Sequence, residues 1–182
     1  LTGGNAIIVT DVGQHQMVAC RYSKFNQSKS NITSGGLGTM GFGLPAAIGA
    51  KFGAPERTVV AIVGDGGFQM TLQELGTIMQ TGLDVKIIIL NNHFLGMVRQ
   101  WQQLFNDKRY SFVNIESPDF VALGKAYSIA SQRTSDRNEL KKDLANMLQH
   151  KGPYLLEVMV GKENNVFPMV PQGCSVSEIR LS

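Results

Sequence analysis

The chain has 182 residues, with 17 basic and 14 acidic side chains and a net charge of +3. So slight an imbalance excludes a nucleic-acid partner or a polybasic membrane anchor as the main theme, and 43% hydrophobic against 17% charged residues excludes disorder as the main state. The longest apolar runs fall far short of the ~20 residues a membrane span needs, and two cysteines, Cys20 and Cys174, supply neither a disulfide framework nor a metal cluster, which points to a reducing, cytoplasmic setting.

No initiating methionine opens the chain, and residues 6–10 already read as a buried strand. The expectation is one domain, residues 1–182, cut from a longer polypeptide. Further strands are expected at 58–63, 85–90, 129–133 and 154–160; the best are nearly continuous apolar runs, as in parallel sheets covered on both faces. Residues 22–36 are polar and read as a loop. Helix punctuation lies between the strands: a capping box at Thr71 and Glu74, a terminating glycine at Gly82, and an N-cap and first-turn proline at Ser117 and Pro118. Asp136 and Glu139 open a last helix with apolar Leu140, Leu144, Met147 and Leu148 at helical spacing, stopped by Gly152 and Pro153. Residues 161–182 read as an irregular tail. This alternation predicts an α/β fold, a doubly wound, mainly parallel sheet with helices on both faces.

Ligands of such sheets bind beyond the carboxyl ends of the strands. Three adjacent loops there read Asp11-Val12-Gly13-Gln14-His15, Gly64-Asp65-Gly66-Gly67 and Asn91-Asn92-His93-Phe94-Leu95-Gly96. Asp65 offers an anionic oxygen and Asn92 a neutral amide oxygen, the donor set of a magnesium ion that takes its remaining oxygens from water and a diphosphate. Glycines 64, 66 and 67 permit close backbone approach. Each pair alone has a plain reading as a turn; it is the spacing, Asp-Gly and Asn-Asn at the ends of successive strands, that carries the inference.

That spacing resembles the signature of thiamine-diphosphate enzymes. Residues 34–50, 12–17, 95–102 and the tail at 168–171 are similar, in the same order, to acetohydroxyacid (acetolactate) synthase catalytic subunits, over essentially the whole chain. The resemblance implies that Asp65, the Asn92 side chain and the Phe94 carbonyl hold Mg2+, and that Gln14 and His15 contact the diphosphate. It further implies that Gly38, Leu95 and Gly96 face the cofactor, that Met40 props it in a bent conformation, and that Met97 and Trp101 line the substrate pocket. The implied reaction condenses pyruvate with a second 2-oxoacid, releasing CO2. A glutamate and most of an FAD site would lie on domains outside these residues, so no catalytic residue is assigned here and the piece alone is expected to be inactive. A homodimer or tetramer sharing the cofactor, and a regulatory small subunit, are the implied partners. Gly67-Phe68 and Val18 depart from the pattern of some relatives.

Two other readings remain. Another thiamine-diphosphate decarboxylase, oxidase or ligase would share the same loops. A dinucleotide-binding or interaction module is suggested by Gly36, Gly38 and Gly41, whose spacing matches the dinucleotide fingerprint, but no apolar strand precedes them. Arg99 reads as a solvated helix face, and His93 and His150 as surface residues.

Overall fold

The computed structural model describes residues 1–171 and 173–181. Among them six strands, β1 (Ile7–Thr10), β2 (Asn31–Thr33), β3 (Val59–Gly64), β4 (Val85–Asn91), β5 (Ala130–Thr134) and β6 (Tyr154–Met159), form one sheet in the order β2-β1-β3-β4-β6-β5. Every pairing is parallel. The helices are α1 (Gln14–Tyr22), α2 (Gly43–Gly53), α3 (Asp65–Gln69), α4 (Leu75–Thr81), α5 (Gly96–Phe105), α6 (Phe120–Ala126) and α7 (Leu140–Gln149).

The centre of the sheet shows why these sequences are nearly continuously apolar. In β4, Ile87 and Ile89 pack into a cluster with Leu44 and Ala47 of α2, Ile78 of α4 and Phe120 of α6. Ile88 and Leu90 face the opposite way, against Leu144 and Met147 of α7. A strand buried on both faces has no solvent side to alternate toward. Its one lysine, Lys86, is 2% exposed; its ammonium reaches the sheet's end, donating to the carbonyls of His150 at 2.7 Å and Gly152 at 2.6 Å, where α7 has just stopped. No helix of the described residues is long and apolar enough to cross a membrane.

Three local expectations fail for identifiable reasons. The stretch read as a loop contains β2, an edge strand too short and polar to show periodicity; Thr33 accepts hydroxyl and amide hydrogen bonds from Thr10 and Gln16, both at 2.7 Å, instead of burying apolar surface. A strand therefore does precede the glycines at 36–41. Thr71 caps no helix: its hydroxyl donates to the Gly41 carbonyl at 2.9 Å, and a 3-10 turn, Leu72–Glu74, leads into α4. Ser117 is not the cap of α6 either. Asp119 is, its carboxylate accepting from the main-chain N–H groups of Val121 and Ala122. Gly82 does end α4 in the left-handed conformation, φ 64°. After β6 the described residues hold one 3-10 turn, Val176–Glu178, and an isolated bridge between Met169 and Arg180.

The strand order reverses direction at β1 and β3, since β2 lies outside β1 while β3 begins the march the other way. A crevice opens at such a switch point, and the loops after β1, β3 and β4 meet there.

Candidate functional site

A cavity of about 510 Å³ occupies this crevice. Gln14, His15, Gly38, Met40, Gly64, Asp65, Gly66, Gly67, Asn92, Phe94, Leu95, Gly96 and Met97 all line it. Trp101 does not. It lies one turn beyond Met97 on α5, 36% exposed, its ring 4.8 Å from that of Phe105.

Asp65 stands at the junction of β3 and α3, 2% exposed. Its Oδ2 accepts from the His93 N–H at 2.9 Å and the Ser117 hydroxyl at 3.2 Å. Burial pushes its carboxyl above the ordinary range, and these two neutral donors only partly oppose that. The asparagine pair divides its work. Asn91 turns inward, 2% exposed, while Asn92 lines the cavity and its Oδ1 accepts from the Phe94 N–H at 3.1 Å, an Asx turn. The Phe94 carbonyl accepts no hydrogen bond from the described residues. Among those residues no three His, Cys, Asp or Glu side chains cluster as a metal cage. One buried carboxylate, one amide oxygen and one carbonyl without a hydrogen bond suit a hard cation that brings further oxygen ligands with it.

His15 lies in the first turn of α1. Its ring lies so close to two backbones that a Cβ on Gly13 or Gly64 would stand 3.0 or 3.1 Å from its Cε1. Desolvation pushes its pKa down to about 4, against the pull of the Asp11 main-chain acceptor, so the imidazole is neutral near pH 7. Its Nε2 is buried without a partner among the described residues.

Asp11, 1% exposed, joins the walls. Its Oδ2 accepts from the Gly41 N–H at 3.1 Å, anchoring the loop that carries Met40. It fills space that a side chain on Gly67 would need, and a Cβ on Gly43 would come within 2.9 Å of it. Burial raises its carboxyl too, and its Oδ1 finds no partner among the described residues.

Sequence reasoning missed one wall of the cavity. Val160, Gly161, Asn164, Asn165, Val166 and Phe167 line the cavity from the tail. Arg21 of α1 donates to the carbonyls of Phe167 at 2.8 Å and Pro168 at 3.0 Å. Arg99 is no solvated face: it is 7% exposed, paired with Glu163 at 2.7 Å, with its guanidinium 4.7 Å from the centre of the Tyr110 ring. Glu163 and the Phe167 and Pro168 carbonyls lie sixty or more residues from the arginines that reach them, so no local pattern announces these contacts. His93 and His150 are exposed, as expected.

A parallel sheet whose switch-point cavity combines a buried Asp-Gly loop with an Asn-lined turn is the form of an α/β domain that takes its ligand beyond the strand ends. The profile of the thiamine pyrophosphate enzyme, C-terminal TPP binding domain, matches residues 11–158, and the chain belongs to that family. Its relatives are more particular. It is 48% identical to the acetolactate synthase isozyme 2 large subunit of Escherichia coli over 96% of this chain and 32% of that protein. It is 47% identical to the acetolactate synthase large subunit of Lactococcus lactis over 98% of this chain and 31% of the other. With the mitochondrial acetolactate synthase catalytic subunit of Saccharomyces cerevisiae it shares 48% over 97% of this chain and 26% of the other. The chain thus spans about a third or less of the length of these curated relatives.

Proposed function

We propose that this chain is the cofactor-diphosphate domain of an acetolactate synthase catalytic subunit, joining pyruvate to a second 2-oxoacid with loss of CO2 to give 2-acetolactate or 2-aceto-2-hydroxybutyrate. The supporting observation is the single cavity lined by His15, Met40, Asp65, Asn92 and Met97 in a chain 48% identical to such a subunit. Thiamine diphosphate, when bound, supplies a carbanion that attacks the keto carbon and holds the electron pair left by decarboxylation.

In this reading Asp65, Asn92 and the Phe94 carbonyl hold Mg2+, and the cation offsets the cost of burying the Asp65 charge. The glycines at 64, 66 and 67 let the diphosphate approach the main chain. Neutral His15 meets it with an unpartnered Nε2, and an anionic oxygen there draws a proton onto the ring. Met40 props the cofactor, Leu95, Gly96 and Gly38 face it, and Met97 walls the substrate pocket and excludes water. Gln14 faces the diphosphate from the start of α1. Trp101, outside the cavity, contributes to substrate preference from the exposed face of α5. Residues 1–182 form one domain of a longer chain, with residues 161–182 as its closing tail. The remaining requirements, a glutamate at the reacting ring, most of an FAD site and a cofactor-sharing homodimer or tetramer with a regulatory small subunit, are met elsewhere in a cytoplasmic enzyme. The domain alone turns nothing over.

The test has two arms. Thiamine diphosphate titrated calorimetrically against the chain should bind in a Mg2+-dependent way and NAD should not; the reverse would favour the dinucleotide reading that β2 and the glycines at 36–41 keep open. The full-length protein given pyruvate should yield 2-acetolactate. Acetaldehyde or acetate in its place would assign another thiamine-diphosphate decarboxylase or oxidase.

A further inference from the structure

One buried carboxylate takes no part in the reading above. Glu157 sits in the middle of β6, 1% exposed, paired in the sheet with Ile89 of β4 and Arg133 of β5. Its strand neighbours Leu155, Leu156 and Val158 are all buried and apolar. A charge among them costs desolvation energy that a packed apolar residue would avoid.

Both carboxylate oxygens are engaged, in opposite directions. Oε2 accepts from Arg133 Nε at 2.6 Å, and Arg133 reaches on to Asp119 at 3.0 Å. Oε1 accepts from Asn91 Nδ2 at 2.8 Å. Asn91 Oδ1 then accepts the His93 N–H at 3.1 Å, and the same N–H points at Asp65 Oδ2 at 2.9 Å. A continuous polar chain therefore runs from Arg133 at the edge of the sheet to Asp65 in the cavity. His93 holds φ 57°, a left-handed conformation uncommon for a side chain of its kind.

The polarity of this chain is dictated at one end. A carboxylate can only accept, so the Asn91 group facing Glu157 must be its NH2, and its carbonyl oxygen must face the loop. An amide at position 157 would accept or donate equally well. Asn91 could then turn its NH2 toward the His93 N–H, two donors would oppose each other, and the left-handed turn would keep only its bond to Asp65. A role confined to neutralising Arg133 would need one oxygen, not two.

We propose that Glu157 is a positioning residue for the cation site. Its charge fixes the Asn91 amide, which holds His93 in the left-handed turn and so sets the Asn92 and Phe94 oxygens against Asp65. This rests on the reading of Asp65, Asn92 and Phe94 as the Mg2+ ligands.

The experiment is a Mn2+ titration of the full-length protein with thiamine diphosphate present, following free Mn2+ by electron paramagnetic resonance, with metal-free melting temperatures measured alongside. Glu157→Gln should weaken Mn2+ binding by about tenfold or more. The double variant Glu157→Gln with Asn91→Asp should restore it. There the carbonyl of residue 157 accepts from Arg133, its NH2 donates to residue 91, and the new carboxylate again accepts from His93. A charge needed only beside Arg133 would not be rescued by moving it to residue 91. Wild-type affinity in Glu157→Gln overturns the proposal, as does a double variant that regains its metal-free melting temperature but not its Mn2+ affinity. Should Glu157→Gln not fold, Asn91→Ala removes one of the two His93 acceptors, leaving Asp65, and keeps the Arg133 pair; unchanged affinity there overturns the proposal equally. A wild-type protein that binds no Mn2+ in the presence of thiamine diphosphate defeats the cation reading itself, and this proposal with it.

Discussion

The Gln14 amide donates to Gln100 Oε1 across 2.9 Å, joining the first helix of the chain to α5. Gln100 is 0% exposed, and its orientation is not free. Its Oε1 also accepts from the Val166 N–H at 2.9 Å while its Nε2 donates to the Val166 carbonyl at 3.1 Å. Gln14 must therefore present its own NH2, whose second donor goes to the Asn164 carbonyl at 3.2 Å. Within the tail that lines the cavity, Val166 is held by one buried amide acting as a substitute strand. Gln100→Leu leaves both Val166 groups without partners and should cost about 1–3 kcal/mol. Urea unfolding would measure that cost. Limited proteolysis should show faster cleavage in 161–170 than anywhere else in the chain. Equal protection of the tail in the variant would mean that Arg21 and Arg99 suffice to hold it.

His15 gives a prediction in pH. Its folded pKa of about 4 lies below the ordinary value of 6.5. The unfolded chain thus binds a proton between these values while the folded chain does not, so stability falls as pH drops from 6.5 toward 4 and is fully present above 6.5. His15→Gln should flatten that part of the stability-against-pH curve. By NMR, the His15 ring protons should titrate near pH 4 in the free chain and at a higher pH once thiamine diphosphate and Mg2+ are added, because an anion beside Nε2 favours the charged ring. A free-chain midpoint near 6.5 would show that the ring is solvated.

Much of this arrangement was legible in the sequence, and the division follows a physical line. Strands β3 and β4 are buried on both sides, so their apolar runs stand out; Gly82 ends α4 because only its backbone tolerates φ 64° cheaply. The loops carrying Asp65 and Asn92 were legible too, because the end of each strand is fixed once the strand is found; Met40 and Met97 came from the resemblance. What escaped is held by single long-range hydrogen bonds. Thr71 and Ser117 carry the local signature of helix caps, yet their hydroxyls go to the Gly41 carbonyl and to Asp65. Local propensity offers a serine or threonine several partners, and tertiary structure chooses among them. The ion pair of Arg99 with Glu163 and the tail contacts depend on residues some sixty or more positions away, a separation at which periodicity says nothing.

Gly41 ties the Met40 loop to two elements at once. It has φ 85°, its N–H donates to Asp11, and its carbonyl accepts from Thr71. A Cβ there would stand 3.1 Å from the Met70 Cβ. Gly41→Ala should lose about 1–2 kcal/mol from left-handed strain alone, with the crowding against Met70 added. Chemical denaturation reads the total. Thiamine diphosphate affinity should fall as well, since Met40 and the Asp11 anchor are displaced together; a variant with wild-type stability would mean that the loop relaxes freely.

Asp65 sets stability against function. Burial raises its carboxyl, so the folded metal-free chain holds a proton that the unfolded chain releases as pH rises above 3.8. Metal-free stability therefore declines from about pH 4 upward until the folded group ionises. Asp65→Asn keeps the shape, retains an oxygen for the His93 N–H and the Ser117 hydroxyl, and removes the buried charge. At pH 7 the metal-free variant should melt at or above the wild-type temperature, with the alkaline-going decline reduced. Its cation ligand is weakened at the same time, so the rise in melting temperature that thiamine diphosphate and Mg2+ give the wild type should vanish. Scanning calorimetry at pH 4, 5.5 and 7, with and without both additives, separates the two effects. A metal-free variant several degrees less stable at pH 7 would show that the Asp65 charge is satisfied by its neighbours alone, and that no cation is needed to balance it.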